Sequence, residues 1–247
     1  MNFDEKKIRD ASSKSDSRID LWKQVLNIQR VGTMLEIGVW KGDFAEEMLL
    51  ACEEIERYYM IDPWANLPDW NKPFNVAPEM FDEIYQEALR KTGFAAEKVV
   101  VLRGRTKEVV DQIPDQSLDF AYIDGDHTLR GITIDLMKVL PKIKDGGIIG
   151  GDDFINTPWQ HGVSYEPTLV CPYSIYFAEA VDLPIMALPH NQFMIRKDKA
   201  SKFSFIDTTG DYKDISLNKL PIESQSEKSR PKKHSVYSRL ARIFGGE

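Results

Sequence analysis

The residues best suited to chemistry in this chain are acids that follow short apolar runs. Asp124, Asp126 and His127 stand in LDFAYIDGDHT, and Asp152 and Asp153 close GGIIGGDD. Carboxylates that converge repel one another unless a cation compensates, and oxygen donors suit a hard divalent ion such as Mg²⁺. Beside such a set, His127 is a candidate base near neutral pH. Alternatively, Asp126 and Asp153 cap the helix or turn that follows, and His127 makes only a local hydrogen bond. Upstream, Glu36, Gly38 and Gly42 lie in LEIGVWKGD, where glycines let a ligand approach the backbone and the next helix start offers free N–H donors. Asp62, closing YYMID, carries two acceptor oxygens that match the two hydroxyls of a ribose. Val39, Trp40 and Lys41 separate the two glycines, so the GxGxxG dinucleotide fingerprint is missing.

These residues must be positioned by alternating strands and helices. Strands are expected at 33–38, 58–62, 99–104, 118–125 and 146–153, with helices at 42–55, 78–93, 106–113 and 128–143 between them. That alternation implies right-handed crossovers and a parallel sheet covered on both faces. A further helix at 173–181 precedes 183–189 and 192–197. Only His190 and Asn191 separate those two runs, too few for a crossover, so the sheet ends in an antiparallel hairpin. The expected fold is α/β, a doubly wound, mostly parallel, seven-stranded, Rossmann-like sheet. Ligands of such sheets bind beyond the carboxyl ends of the strands, where the acids fall. Two long connections, 63–78 and 154–172, interrupt the rhythm. Their Trp64, Trp70 and Trp159 either cover a bound ring or pack within the loops. An amphipathic helix at 18–29 reads as a structural lead-in, and FSFID (203–207) as an extra strand.

Composition narrows the function classes. The 247 residues include 42% hydrophobic and 29% charged, as expected for a globular chain, and the net charge of −7 disfavours a nucleic-acid binder. Cys52 and Cys171 lack metal-ligand spacing. No apolar stretch reaches signal-peptide or membrane-span character, so a cytoplasmic location is expected. The last twenty residues run against the average, with Lys228, Arg230, Lys232, Lys233, Arg239 and Arg242 against the single acid Glu247. Val236, Leu240 and Ile243 or Phe244 recur beside them at near-helical spacing. This tail is either a solvated, partly disordered end or a short amphipathic helix for a membrane surface or acidic partner. The expected division is an extension at 1–30, a main domain at 31–197 and a C-terminal extension at 198–247.

The segments LEIGVWKGDFA, YYMIDPW, LDFAYIDGDHT and DGGIIGGDDF resemble class I S-adenosylmethionine-dependent methyltransferases, and among them the metal-dependent, macrocin-type sugar O-methyltransferases. The resemblance spans about residues 30–197. It implies that Glu36, Gly38 and Gly42 line the methionine part of S-adenosylmethionine, that Asp62 binds ribose, and that Gly104, Arg105 and Thr106 border the adenine. It also implies that Asp124, Asp152 and Asp153 hold Mg²⁺ or another hard divalent cation, with Asp124 serving the cofactor as well. Asp126 and His127 both occupy base positions, His127 being preferred because it is spared from metal duty. The sequence departs from the pattern at Trp40, where many methyltransferases have a second glycine. The implied acceptor is a hydroxyl of a sugar in a glycan or glycosylated metabolite, and a homo-oligomer is compatible with it. A catechol-type small-molecule O-methyltransferase, a nicotinamide-dependent oxidoreductase and a silent cofactor-binding scaffold are the other readings.

Overall fold

The structure, a computed structural model, describes residues 4–212, so the readings of the basic tail lie outside the described residues. One sheet organises these residues. Its strands are β1 (Thr33–Ile37), β2 (Arg57–Asp62), β3 (Val99–Arg103), β4 (Leu118–Ile123), β5 (Ile143–Gly151), β6 (Pro184–Leu188), β7 (Gln192–Arg196) and β8 (Ser204–Asp207). They lie in the order β3-β2-β1-β4-β5-β7-β6-β8. Strands β1 to β5 are parallel, and β7 is antiparallel to both β5 and β6. The expected hairpin turns at His190 and Asn191, both at positive φ (62° and 58°), the backbone a two-residue turn requires. Among the described residues the sheet has eight strands rather than seven, because β8 adds parallel to β6.

Both faces of the sheet are covered, which is why its strands read as nearly continuous apolar runs. Alternation within β4 shows the division. Phe120 and Tyr122 enter a core with α2 (Arg18–Gln29), α3 (Asp43–Ala51) and α4 (Met80–Thr92). Ala121 and Ile123 enter another with α6 (Leu129–Val139) and α7 (Val170–Ala180). The short α5 (Thr106–Val109) follows β3. Among the described residues, no helix is long and apolar enough to cross a membrane.

The N-terminal segment is built into this core. Helix α1 (Glu5–Lys14) buries Ile8 and Ala11, and α2 buries Leu21, Trp22, Val25 and Leu26. Ser17 caps α2 by accepting from Asp20 N at 3.1 Å. Trp22 lies on β5 where that strand has no side chain: a Cβ on Gly150 would fall 2.3 Å from the Trp22 ring. Ring edges of Trp22 also meet Phe120 and Tyr122, at centroid distances of 5.1 and 5.6 Å.

Candidate active site

Beyond the carboxyl ends of β1 to β5 lies a cavity of about 550 Å³. Gly38 follows β1 and lines the cavity at φ +85°, and a Cβ there would meet the Asp124 carbonyl at 2.0 Å. Only glycine permits this close approach of the β1 and β4 ends. Trp40 follows with φ +51°, so it takes the left-handed conformation that glycine serves elsewhere. Its indole meets Phe74 and Phe81 edge-on, at centroid distances of 5.4 and 6.1 Å, and these three rings share one cavity wall. Asp62 accepts from Trp40 N at 2.9 Å through Oδ2 and from Trp64 N at 2.7 Å through Oδ1. Burial raises its pKa to about 6 despite those donors. Gly104, Arg105 and Thr106, following β3, complete this side.

Two expected cofactor residues are not brought to the cavity wall. Glu36 sits in the core below, where its Oε2 accepts from the Tyr58 hydroxyl at 2.6 Å and burial holds its pKa well above the carboxylate range. Gly42 caps α3 at φ +79° and abuts α4, its would-be Cβ lying 3.0 Å from Ala88 Cα, so it serves helix packing.

The acids after β4 and β5 do converge, in a different grouping from the one expected. An oxygen of Asp124, a nitrogen of His127 and an oxygen of Asp153 lie within 4.8 Å of one another. Asp153 reaches the cluster from the left-handed region, with φ +57°. Its Oδ2 is 2.5 Å from His127 Nδ1, and His127 Nε2 lies 3.4 Å from Asp124 Oδ1, buried and without a formed hydrogen bond. Burial alone would depress the His127 pKa, but the flanking carboxylates outweigh it and raise it to about 10. Burial pushes Asp153 up, and the His127 contact overcomes it to hold that carboxyl low. Asp152, expected as the third ligand, is engaged elsewhere: Oδ1 accepts from Gln192 Nε2 at 2.6 Å and Oδ2 pairs with Arg18. Arg18 also donates to Asp124 Oδ2 at 3.0 Å. Sequence reading assigned the helix of Arg18 a structural role. The Arg18–Asp124 contact spans 106 positions, and no spacing rule reaches that far.

Asp126 lines the cavity next to the cluster. Its Oδ1 accepts from the Trp70 indole at 3.0 Å and from Thr128 N at 3.0 Å. Gly131 in α6 makes room for it, because a Cβ there would come within 2.2 to 2.3 Å of Asp126 atoms, backbone oxygen included. Thr128, which caps α6 by accepting from Gly131 N at 3.1 Å, does the helix-starting work that Asp126 alternatively offered.

The two long loops meet over the cavity. Lys72 is buried and donates to Glu166 O at 2.8 Å and Thr168 Oγ1 at 3.2 Å. Asn71 donates to Ser164 O at 2.9 Å, and Asp69 accepts from Arg105 at 2.6 and 3.1 Å. Of the three loop tryptophans only Trp70 lines the cavity. Trp64 is buried, tilted against Tyr85 at 4.9 Å, and its indole donates to Trp40 O at 2.8 Å.

Comparison with known proteins agrees with this architecture. Residues 35–154 match the Methyltransf_24 family model, described as a methyltransferase domain. No curated protein matches the chain. Solved structures similar to it include an O-methyltransferase from Bacillus cereus in complex with S-adenosylhomocysteine, at 16% identity over 81% of this chain and 93% of that one, with a TM-score of 0.54. The O-methyltransferase TomG from Streptomyces achromogenes, bound to S-adenosylmethionine, is 14% identical over 80% and 91% of the two chains, with a TM-score of 0.53. S-adenosylhomocysteine-bound PaMTH1 from Podospora anserina is 17% identical over 76% and 81%, with a TM-score of 0.53. The chain shares its fold with these structures, and the methyltransferase family model covers 120 of its 247 residues. Its matched methyltransferase domain runs from β1 to just past β5, and so contains Asp62 and all the clustered acids.

Proposed function

We propose that this chain is a class I, S-adenosylmethionine-dependent methyltransferase that moves the methyl group to a hydroxyl oxygen, in a reaction assisted by a divalent cation, and that the acceptor is a sugar. The observation that carries the reading is the Asp124–His127–Asp153 cluster with Asp126 beside it at the cavity wall. A neutral alcohol is a poor nucleophile, and this arrangement addresses both of its needs, polarisation and loss of a proton. The similar O-methyltransferases solved with the cofactor or its product support the hydroxyl acceptor. The sugar assignment rests on the macrocin-type motifs and on Trp70, an aromatic surface beside the acids.

The cluster fits a divalent cation on its own chemistry. Two carboxylates and one imidazole nitrogen already converge, and the imidazole keeps an unused buried nitrogen. One imidazole among oxygen donors admits Mn²⁺ as readily as Mg²⁺. When bound, the ion would lower the pKa of an acceptor hydroxyl and orient it.

The remaining steps belong to the chain. Asp62 accepts the ribose hydroxyls, and the Gly38 backbone and the Gly104–Thr106 turn flank the rest of the cofactor. The acceptor oxygen attacks the methyl carbon in line with the carbon–sulfur bond. That bond breaks as the carbon–oxygen bond forms, leaving a methyl ether and S-adenosylhomocysteine. Asp126 takes the acceptor proton. His127, engaged with Asp124 and Asp153 in the set that would hold the ion, is not free to accept one, whereas both hydrogen bonds to Asp126 fall on Oδ1 and leave Oδ2 for the proton. The base is thus read as Asp126 rather than His127. Assaying the purified protein for methyl transfer to a panel of glycosides and catechols, with Mg²⁺ or Mn²⁺ and with EDTA, tests the proposal. Transfer to catechols alone would remove the sugar, and full turnover in EDTA would remove the metal.

A further inference from the structure

Helix α2 holds the acid cluster from the N-terminal side by two routes. Trp22, seated over Gly150, donates from its indole to Gln192 Oε1 at 2.7 Å, and Gln192 passes the contact to Asp152 Oδ1 at 2.6 Å. Arg18, one helical turn earlier on the same face, is thereby aimed past the end of β5. Its guanidinium bridges Asp152 Oδ2 and Asp124 Oδ2, the latter at 3.0 Å. Arg18 thus neutralises carboxylates of the cluster, one of which, Asp124, is a donor proposed for the divalent ion. A guanidinium and a dication that share one carboxylate repel each other and compete for its lone pairs.

We propose that Arg18 is an intramolecular competitor of the divalent cation: it holds Asp124 and Asp152 while the metal is away, lets go when the metal arrives, and so sets the metal affinity of the site. The proposal rests on the metal reading above. Arg18 can let go into solvent, since its side chain is 41% exposed, while Asp152, 13% exposed, keeps the bond from Gln192 Nε2. Its release also leaves the first turn of α2 with one tether fewer, so metal loading is felt at the start of that helix.

The test is Mn²⁺ titration of the full chain by calorimetry, with and without S-adenosylhomocysteine, for the wild type and for Arg18→Met, which keeps length and helix preference while removing the charge. Hydrogen exchange over residues 15–22 is followed in the same samples. The expected result is Mn²⁺ binding at least tenfold tighter in Arg18→Met, an intermediate gain in Arg18→Lys, and Mn²⁺-induced acceleration of exchange over 15–22 in the wild type alone. Equal Mn²⁺ affinity in wild type and Arg18→Met would overturn the competition and leave the metal reading standing. No Mn²⁺ binding by either protein, with S-adenosylhomocysteine still bound, would overturn the metal reading and the competition with it. Tighter binding with unchanged wild-type exchange means that Arg18 stays in place, which also overturns competition. Should Arg18→Met fail to bind S-adenosylhomocysteine, Arg18→Gln is titrated in its place, and loss of folding in every variant would assign Arg18 to stability and end the proposal.

Discussion

Replacing Asp62 by asparagine tests the cofactor site through its pH dependence. With a pKa near 6, the Asp62 carboxyl is about nine-tenths ionised at pH 7 and about one-tenth at pH 5. Only the ionised form offers acceptors on both oxygens to the ribose hydroxyls while keeping the bonds from Trp40 N and Trp64 N. The dissociation constant for S-adenosylhomocysteine should therefore rise about tenfold from pH 7 to pH 5. The linked effect on stability has the opposite direction. Because burial raises this pKa from 3.8 to about 6, the folded state binds the proton more tightly than the unfolded state does. Its contribution is complete below about pH 4 and is lost as pH climbs through 6, a change of about 3 kcal/mol at most. In Asp62→Asn the amide places an NH₂ where an oxygen accepted from the backbone. Losing a charge-assisted bond of about 1.5–3 kcal/mol should weaken binding by roughly ten- to a hundredfold at pH 7 and flatten the pH profile. Calorimetry at pH 5, 6 and 7 on both proteins supplies the comparison. A wild-type affinity that does not change over this range, or an asparagine variant that keeps the same slope, would refute the assignment of Asp62.

Other substitutions probe the remaining parts of the site. Asp126→Asn should lower kcat by about 10² to 10⁴ while leaving S-adenosylhomocysteine affinity within twofold, as measured by single-turnover transfer and calorimetry. Gly131→Ala pushes a methyl group into Asp126 and should cut transfer at least tenfold and cost about 1–3 kcal/mol of stability, read by denaturant melts. Gly150→Ala drives Trp22 off β5, with a similar stability loss and a drop in near-ultraviolet tryptophan signal. EDTA should abolish transfer and spare S-adenosylhomocysteine binding, with Mn²⁺ or Mg²⁺ restoring turnover.

The parallel core of the fold was legible because each of its strands is a short apolar run buried on two faces, and because acids close β2 and follow β4 and β5 directly. The hairpin was legible from the brevity of His190–Asn191. Helix α1 was not, since its ten residues EKKIRDASSK are mostly polar and only Ile8, Ala11 and Ser12 are buried. Glu36 misled for the opposite reason. A strand places successive side chains on alternate faces, and Glu36 falls on the face that turns into the core toward Tyr58. The grouping of His127 with Asp124 and Asp153 depends on Asp153 taking a left-handed backbone that sequence spacing does not announce. Trp40 illustrates the limit of motif matching, because its backbone takes φ +51°, a left-handed conformation that glycine adopts most easily, at a position where the resembled pattern has a glycine.

The stitching of the two long loops has a consequence for the order of events in turnover. Lys72 and Asn71 of one loop hold backbone groups of the other across more than 90 positions of chain, and Trp70 of the same loop rests on Asp126. Neither loop can lift without parting from the other. In the proposed reaction, a joint opening of both loops would be the motion that admits acceptor and releases methylated product. With a buried lysine among the bonds to be broken, that opening rather than the methyl transfer is expected to limit the steady-state rate. A burst of methylated product in the first turnover, followed by slower cycles, would be its kinetic signature.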